Sequence, residues 1–153
     1  MKKTFLVCAF AAALCGVASS ADSNADAARE ILALERRAMD GWIKGNPDPL
    51  ISISDAGITY FHVMTDNRLD GLPAVKALIE PYRGMSLFDS YEILDPKVQV
   101  SGDMAVLTYN FVRRNGAATS RWNATQVYQR KQEGWRVIHT HWSMTKPPMP
   151  AAQ

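Results

Sequence analysis

The chain has 153 residues, 47% of them hydrophobic, enough for one domain with a buried core. Its 17 Lys and Arg stand against 15 Asp and Glu, and two of the cations, Lys2 and Lys3, sit at the very start. That balance lacks the basic footprint of a nucleic-acid binder, and two cysteines, Cys8 and Cys15, are too few for a disulfide framework.

Lys2 and Lys3 precede an apolar run at 5–17, which ends in Ala18-Ser19-Ser20-Ala21. A positive start, a short apolar middle and small residues form a secretory signal peptide over 1–21, with cleavage expected after Ser20 or Ala21. The run is too short to span a bilayer. Leu14 before Cys15 and Val7 before Cys8 do not fit a lipid attachment site, so no stable membrane anchoring is expected. The mature chain then has no cysteine. Without Lys2 and Lys3 its charges fall to 15 against 15, and it is destined for the periplasm or secretion.

Residues 26–45 predict an amphipathic helix, with Ile31, Leu34, Ala38 and Trp42 on the apolar stripe and Gly45-Asn46-Pro47 as the stop. A short helical turn follows at 48–54. A strand is expected at 58–63, a turn at Asp66-Asn67, and a second helix at 72–82 that buries Leu72, Val75, Leu78 and Ile79. Asp70 reads as an N-cap or turn acceptor before that helix. Period-two patterning then predicts strands at 90–100, 104–113, 119–130 and 135–144, separated by Ser101-Gly102-Asp103, Asn115-Gly116 and Glu133-Gly134. Lys146-Pro147-Pro148 ends the domain, and 148–153 read as a flexible tail.

Two helices followed by a four-strand meander make an α+β layout, with the long helix across a curved antiparallel sheet. Ala105, Leu107, Tyr109 and Phe111 share the face expected to meet the helix. Trp122, Tyr128 and Trp135 supply apolar groups that are expected on the open face, where a homodimer would cover them.

The order of elements and four strings resemble a known group. The strings are Asp55-Ala56-Gly57-Ile58-Thr59, Asp95-Pro96-Lys97-Val98-Gln99-Val100-Ser101-Gly102, Thr125-Gln126-Val127 and Gly134-Trp135-Arg136-Val137-Ile138-His139-Thr140-His141-Trp142-Ser143. Over residues 26–147 the chain resembles the nuclear-transport-factor-2-like superfamily (SnoaL-like). Within it, the resemblance is greatest to the association domain of calcium/calmodulin-dependent protein kinase II and its bacterial relatives. The resemblance implies a domain over 22–147: a cone-shaped curved sheet around a long N-terminal helix, a pocket at the open end, and dimers or larger rings built through the sheet. It leaves function open, because the superfamily includes isomerases, dehydratases, cyclases and domains without a reaction.

Candidate site residues follow from both readings. Tyr60 and His62 lie two apart on the strand at 58–63. The resemblance places position 62 where ketosteroid-isomerase relatives carry their carboxylate base, so His62 is the candidate general base; the bland reading is a hydrogen-bonded histidine lining a pocket. Against an isomerase, the helix stretch Arg36-Arg37-Ala38-Met39-Asp40 lacks the tyrosine that such relatives use toward an oxyanion. The association domains line their pocket with arginines on the later strands. Here Phe111 and Trp142 fall at two of those positions, and Arg121 is the one cation expected.

The inferred pocket is Tyr60, His62, Tyr109, Phe111, Arg121 and Trp142, suited to a flat or apolar molecule with one anionic or carbonyl group. His139 and His141 alternate onto one strand face and with His62 make three histidines, a number that a zinc site can use. No acidic residue near 139–141 is placed to orient them, so no metal and no cofactor is expected. The pair reads instead as structural, as part of an interface, or as a ligand contact. Three functions stay open: a secreted small-ligand-binding domain, an isomerase- or dehydratase-like enzyme using His62, and an assembly module whose sheet face would be broken by Trp122→Glu.

Overall fold

The computed structural model describes residues 16–145, with side chains from residue 22 onward. Residues 1–15 of the expected signal peptide and the expected tail at 148–153 lie outside the described residues. Among the described residues no helix is long and apolar enough to cross a membrane.

Helix α1 (Gly16–Ile43) starts well before residue 26. Residues 22–26 of the extension are exposed. From Ala27 onward α1 buries Ala27, Ile31, Ala38, Met39 and Trp42. The stripe also takes in Glu35, fully buried, in place of Leu34, which is only half-buried. The helix ends in a Schellman motif. Gly45 at φ 66° donates to the Trp42 carbonyl at 3.2 Å, and Asn46 donates to that of Gly41 at 2.8 Å. A Cβ on Gly45 would lie 2.7 Å from the Gly84 backbone, so both the left-handed φ and the close crossing require glycine.

Helix α2 (Asp48–Ile53) leads into β1 (Ser54–Phe61), which begins earlier than expected and ends before His62. A two-residue strand, β2 (Leu69–Asp70), pairs antiparallel with β1. Asp70 is therefore not the cap of α3 (Leu72–Ile79). Gly71 holds that position, and Asp70 accepts from Arg68 at 2.7 Å. The second predicted helix also tightens to 3-10 geometry at Glu80–Tyr82. The meander follows as β3 (Ser90–Ser101), β4 (Met104–Asn115), β5 (Ala118–Lys131) and β6 (Gly134–Met144). The β4–β5 turn is Gly116-Ala117, because Asn115 still pairs with Ala118. That shifts the hairpin loop one residue from the Asn-Gly reading.

The sheet order is β2-β1-β6-β5-β4-β3, with β1 parallel to β6 and the other pairs antiparallel. Bulges interrupt the register between Leu94 and Lys97, where Asp95 has φ 48°, and between Val127 and Tyr128. Such bulges increase local twist and bend. The bent sheet wraps α1: Tyr91 on β3 donates to Asp40 at 2.7 Å, Tyr109 on β4 and Tyr128 on β5 reach Glu35, and Val137 on β6 joins the same core.

The inner face of β4 carries Ala105, Leu107, Tyr109 and Phe111, as expected. Trp122, Tyr128 and Trp135 are also on this inner side, contrary to the expectation that they cover the open face. Trp122 sits opposite Phe111, and Tyr128 opposite Ala105. The open face instead presents Val106 opposite Val127, Thr108 opposite Thr125 and Asn110 opposite Asn123, with His139 and His141 alongside.

Candidate ligand cavity

A cavity of about 330 Å³ lies on the inner side of the sheet, between the C-terminal end of α1, helix α3 with the loop after it, and strands β1, β4, β5 and β6. Its volume is at the small end of the range for small-molecule sites. Rings form much of its wall. Phe111 meets Trp142 edge-on at 5.3 Å and Phe88 at 5.8 Å, and Trp142 meets Trp122 at 6.5 Å. Inner-face alternation on three neighbouring strands brings these rings together; each position alone would be ordinary core.

Besides the tyrosines Tyr60 and Tyr82, four polar side chains interrupt the apolar wall. Arg113, on β4 two residues beyond Phe111, is half-buried, and its guanidinium lies 5.2 Å from the Trp122 ring centroid. Its Nε donates to Ser120 Oγ at 2.9 Å, and among the described residues no carboxylate forms an ion pair with it. Burial pulls its pKa below the ordinary arginine value. His62 follows β1, its ring 5.2 Å from that of Tyr60 in an edge-on arrangement. Burial, and then the Arg113 charge, hold its pKa below the ordinary value, so it is neutral at pH 7. Its Nδ1 accepts the Met64 N–H at 3.2 Å, which places the single proton of the neutral ring on Nε2. In that tautomer His62 donates a hydrogen bond and has no second lone pair with which to take a proton. Gln126 and Thr140, paired across β5 and β6, complete the set.

Behind Gln126 lies Glu35, which the sequence reading did not single out. Tyr109 and Tyr128 donate to its two oxygens at 2.5 and 2.8 Å, and Gln126 Nε2 donates to Oε1 at 3.3 Å. Burial raises the carboxyl pKa, opposed in part by these three donors. The signal for Glu35 was its place four residues after Ile31 and three before Ala38, on the apolar stripe.

Of the predicted site residues, Tyr60, His62, Phe111 and Trp142 line the cavity together. Tyr109 is buried behind the wall, and its hydroxyl is committed to Glu35. Arg121 is exposed on the opposite sheet face, across from Val112, because alternation along β5 sends it away from the side that Trp122 occupies. The cavity's guanidinium is Arg113. The three histidines are not brought together: His139 and His141 project from the open face, where Phe61 lies 5.8 Å from each ring and Thr59 Oγ1 is 2.7 Å from His139 Nδ1. Among the described residues no group of three His, Cys, Asp or Glu is arranged to hold a metal.

A comparison with curated proteins gives no match. Solved structures do match. A candidate ketosteroid isomerase of Parabacteroides distasonis is 32% identical with a TM-score of 0.66, covering 76% of this chain and 86% of that one. A nuclear-transport-factor-2-like protein of unknown function from Pseudomonas putida is 25% identical with a TM-score of 0.72, covering 82% and 91%. The association domain of calcium/calmodulin-dependent kinase II from C. elegans, at 22% identity, shares the fold with a TM-score of 0.67 over 80% and 98%. The family model described as calcium/calmodulin dependent protein kinase II association domain matches residues 27–146, from the first buried turn of α1 to just past β6. The chain therefore belongs to the association-domain family of calcium/calmodulin-dependent protein kinase II, within the nuclear-transport-factor-2-like superfamily.

Proposed function

We propose that this protein is a secreted small-ligand-binding domain that takes a compact, largely apolar molecule by its carboxylate or carbonyl group, and that it self-associates through the open sheet face. The pattern of Lys2-Lys3, an apolar run and small residues over 1–21 supports secretion, and the kinase hub relatives support self-association. The observation that carries the binding reading is Arg113: a half-buried guanidinium without a carboxylate partner among the described residues, at a cavity walled by Phe111, Trp122 and Trp142. A planar fork with free N–H groups beside rings fits a carboxylate attached to a flat apolar body.

The isomerase reading has a relative in its favour, but the Met64 N–H on His62 Nδ1 leaves the ring as a donor where a base is needed. Titration of the protein with small arylalkanoates by calorimetry tests the binding reading. Arg113→Met, which keeps the stem and removes the charge, should weaken binding tenfold or more. Equal affinity in the two proteins would overturn the assignment.

A further inference from the structure

We infer that self-association through the open sheet face is controlled by protons: copies pair while His139 and His141 are neutral and separate when these two side chains become charged. This rests on the reading of the open face as the contact between copies, and adds how that contact is regulated.

Both histidines project from β6 onto the open face, His139 half-buried and His141 exposed. Their cross-strand neighbours are uncharged. On β1, Thr59 stands opposite His139 and Phe61 opposite His141; on β5, Val127 and Thr125 take those places. Phe61 is 45% exposed and lies 5.8 Å from each imidazole, so three neighbouring rings stay open to water in a single copy. Towards β4 the pairs Val106–Val127, Thr108–Thr125 and Asn110–Asn123 continue the surface without charge. A two-fold contact sets the same patch of each copy against itself. A patch charged with one sign would repel its own copy, whereas this one, with neutral histidines, can face it.

Protonation removes that match, because these strands hold nothing to receive the new charge. Strands β5 and β6 contain no acidic residue. Beside them, β1 contributes Asp55 and β2 contributes Asp70, and these are engaged by Lys131 at 3.7 Å and Arg68 at 2.7 Å. The other charges on this face of β5 and β6 are cations, Arg121 and Arg136. Among the described residues neither histidine forms an ion pair with a carboxylate. Burial, then repulsion from His141 and Arg68, holds the His139 pKa below the ordinary value, so this ring is neutral at pH 7. A second copy laid over the face takes both rings further from water, which disfavours their charged form. The single copy therefore binds more protons than the assembly. Linkage then makes association weaken as pH falls through the range in which histidine charges, about pH 8 to 5.

The test is sedimentation of the full chain at constant ionic strength, from about pH 7.5 to about pH 5.5, with a metal chelator present so that the histidines carry no metal. The dissociation constant of the assembly should rise at least about tenfold over that range, since every histidine that must shed its proton to associate contributes a factor. The far-UV circular dichroism spectrum should stay the same throughout. His139→Gln/His141→Gln keeps two polar, uncharged side chains and should associate at the lower pH about as it does at the higher. Each single variant, His139→Gln or His141→Gln, should keep part of the dependence and stands in for the double variant if that folds poorly. A wild-type dissociation constant that is unchanged or falls on acidification, a dependence undiminished in the glutamine variants, or separation that tracks loss of the far-UV spectrum would each overturn the proton control and leave the open face as the contact. A wild type that sediments as a monomer at both ends of the range would overturn the contact as well.

Discussion

Replacing Glu35 by leucine removes the acceptor for three buried donors, two of which, the Tyr109 and Tyr128 hydroxyls, lie behind the cavity wall. Tyr109 is 4% exposed, Tyr128 is 0% exposed and Gln126 is 2% exposed, and each directs its donor at the carboxylate. A buried donor left unsatisfied costs about 1–3 kcal/mol, and relief of the carboxylate's own desolvation returns part of the sum. The expected net loss is about 3–5 kcal/mol, a large share of a domain stability of about 5–15 kcal/mol. Urea denaturation at pH 7 should show a lower midpoint with an unchanged slope. The variant Glu35→Leu/Tyr109→Phe/Tyr128→Phe should recover much of the loss, because it removes two of the stranded donors along with the acceptor.

The pH dependence has a definite sign. Burial raises the Glu35 pKa above its ordinary 4.5, so the folded protein keeps a proton that the unfolded chain releases. The stability this gives is fully present below 4.5 and is lost as pH rises through the raised value. Relative to Glu35→Gln, the wild type should therefore weaken as pH increases. A neutral or stabilising Glu35→Leu, or a wild-type-to-Gln difference that grows in the wild type's favour with pH, would refute the reasoning.

The open face and the cavity should separate under mutation. Val127→Glu places a charge at the centre of the Val106–Val127 pair and should shift sedimentation toward the monomer while leaving arylalkanoate binding intact; unchanged sedimentation would remove this face as the interface. His62→Ala removes one neutral donor from the cavity and should weaken binding by no more than about tenfold. Discovery of an isomerised or dehydrated substrate whose turnover disappears in His62→Ala would replace the binding reading with the enzymatic one.

Most of the fold was legible because the pattern is strong where the chain is regular. Period-two runs over 90–144 and the stop at Gly45-Asn46-Pro47 carry their own physical signals, and the closing Gly-Trp-x-x-x-His-x-His-x-Ser string carried the family. What the sequence hid was pairing and register. Nothing local in β1 indicates a parallel partner, and β2, two residues long, has no pattern to read. The face of β5 was misread because each parity offers plausible residues: Trp122 with Tyr128, or Arg121 with Asn123 and Thr125. Placing Trp122 inward moves Arg121 out, and the cavity's cation is then supplied by Arg113, near the end of β4, where a hairpin arginine reads as surface. Glu35 was hidden because a glutamate on a helix reads as solvated until three donors from other strands are known to meet it.

The latch at the end of α1 has a consequence for what the protein can accommodate. The Gly45 carbonyl accepts the Gly84 N–H at 2.8 Å, Leu87 donates to Trp42, and Arg83 bridges Glu80 and Asp48. The segment that contributes Leu87 and Phe88 to the cavity lining is thereby stitched to the helix. Under the proposed binding reading, the choice of guest then falls to the side chains that face inward, so that single substitutions there would change it without rebuilding a loop.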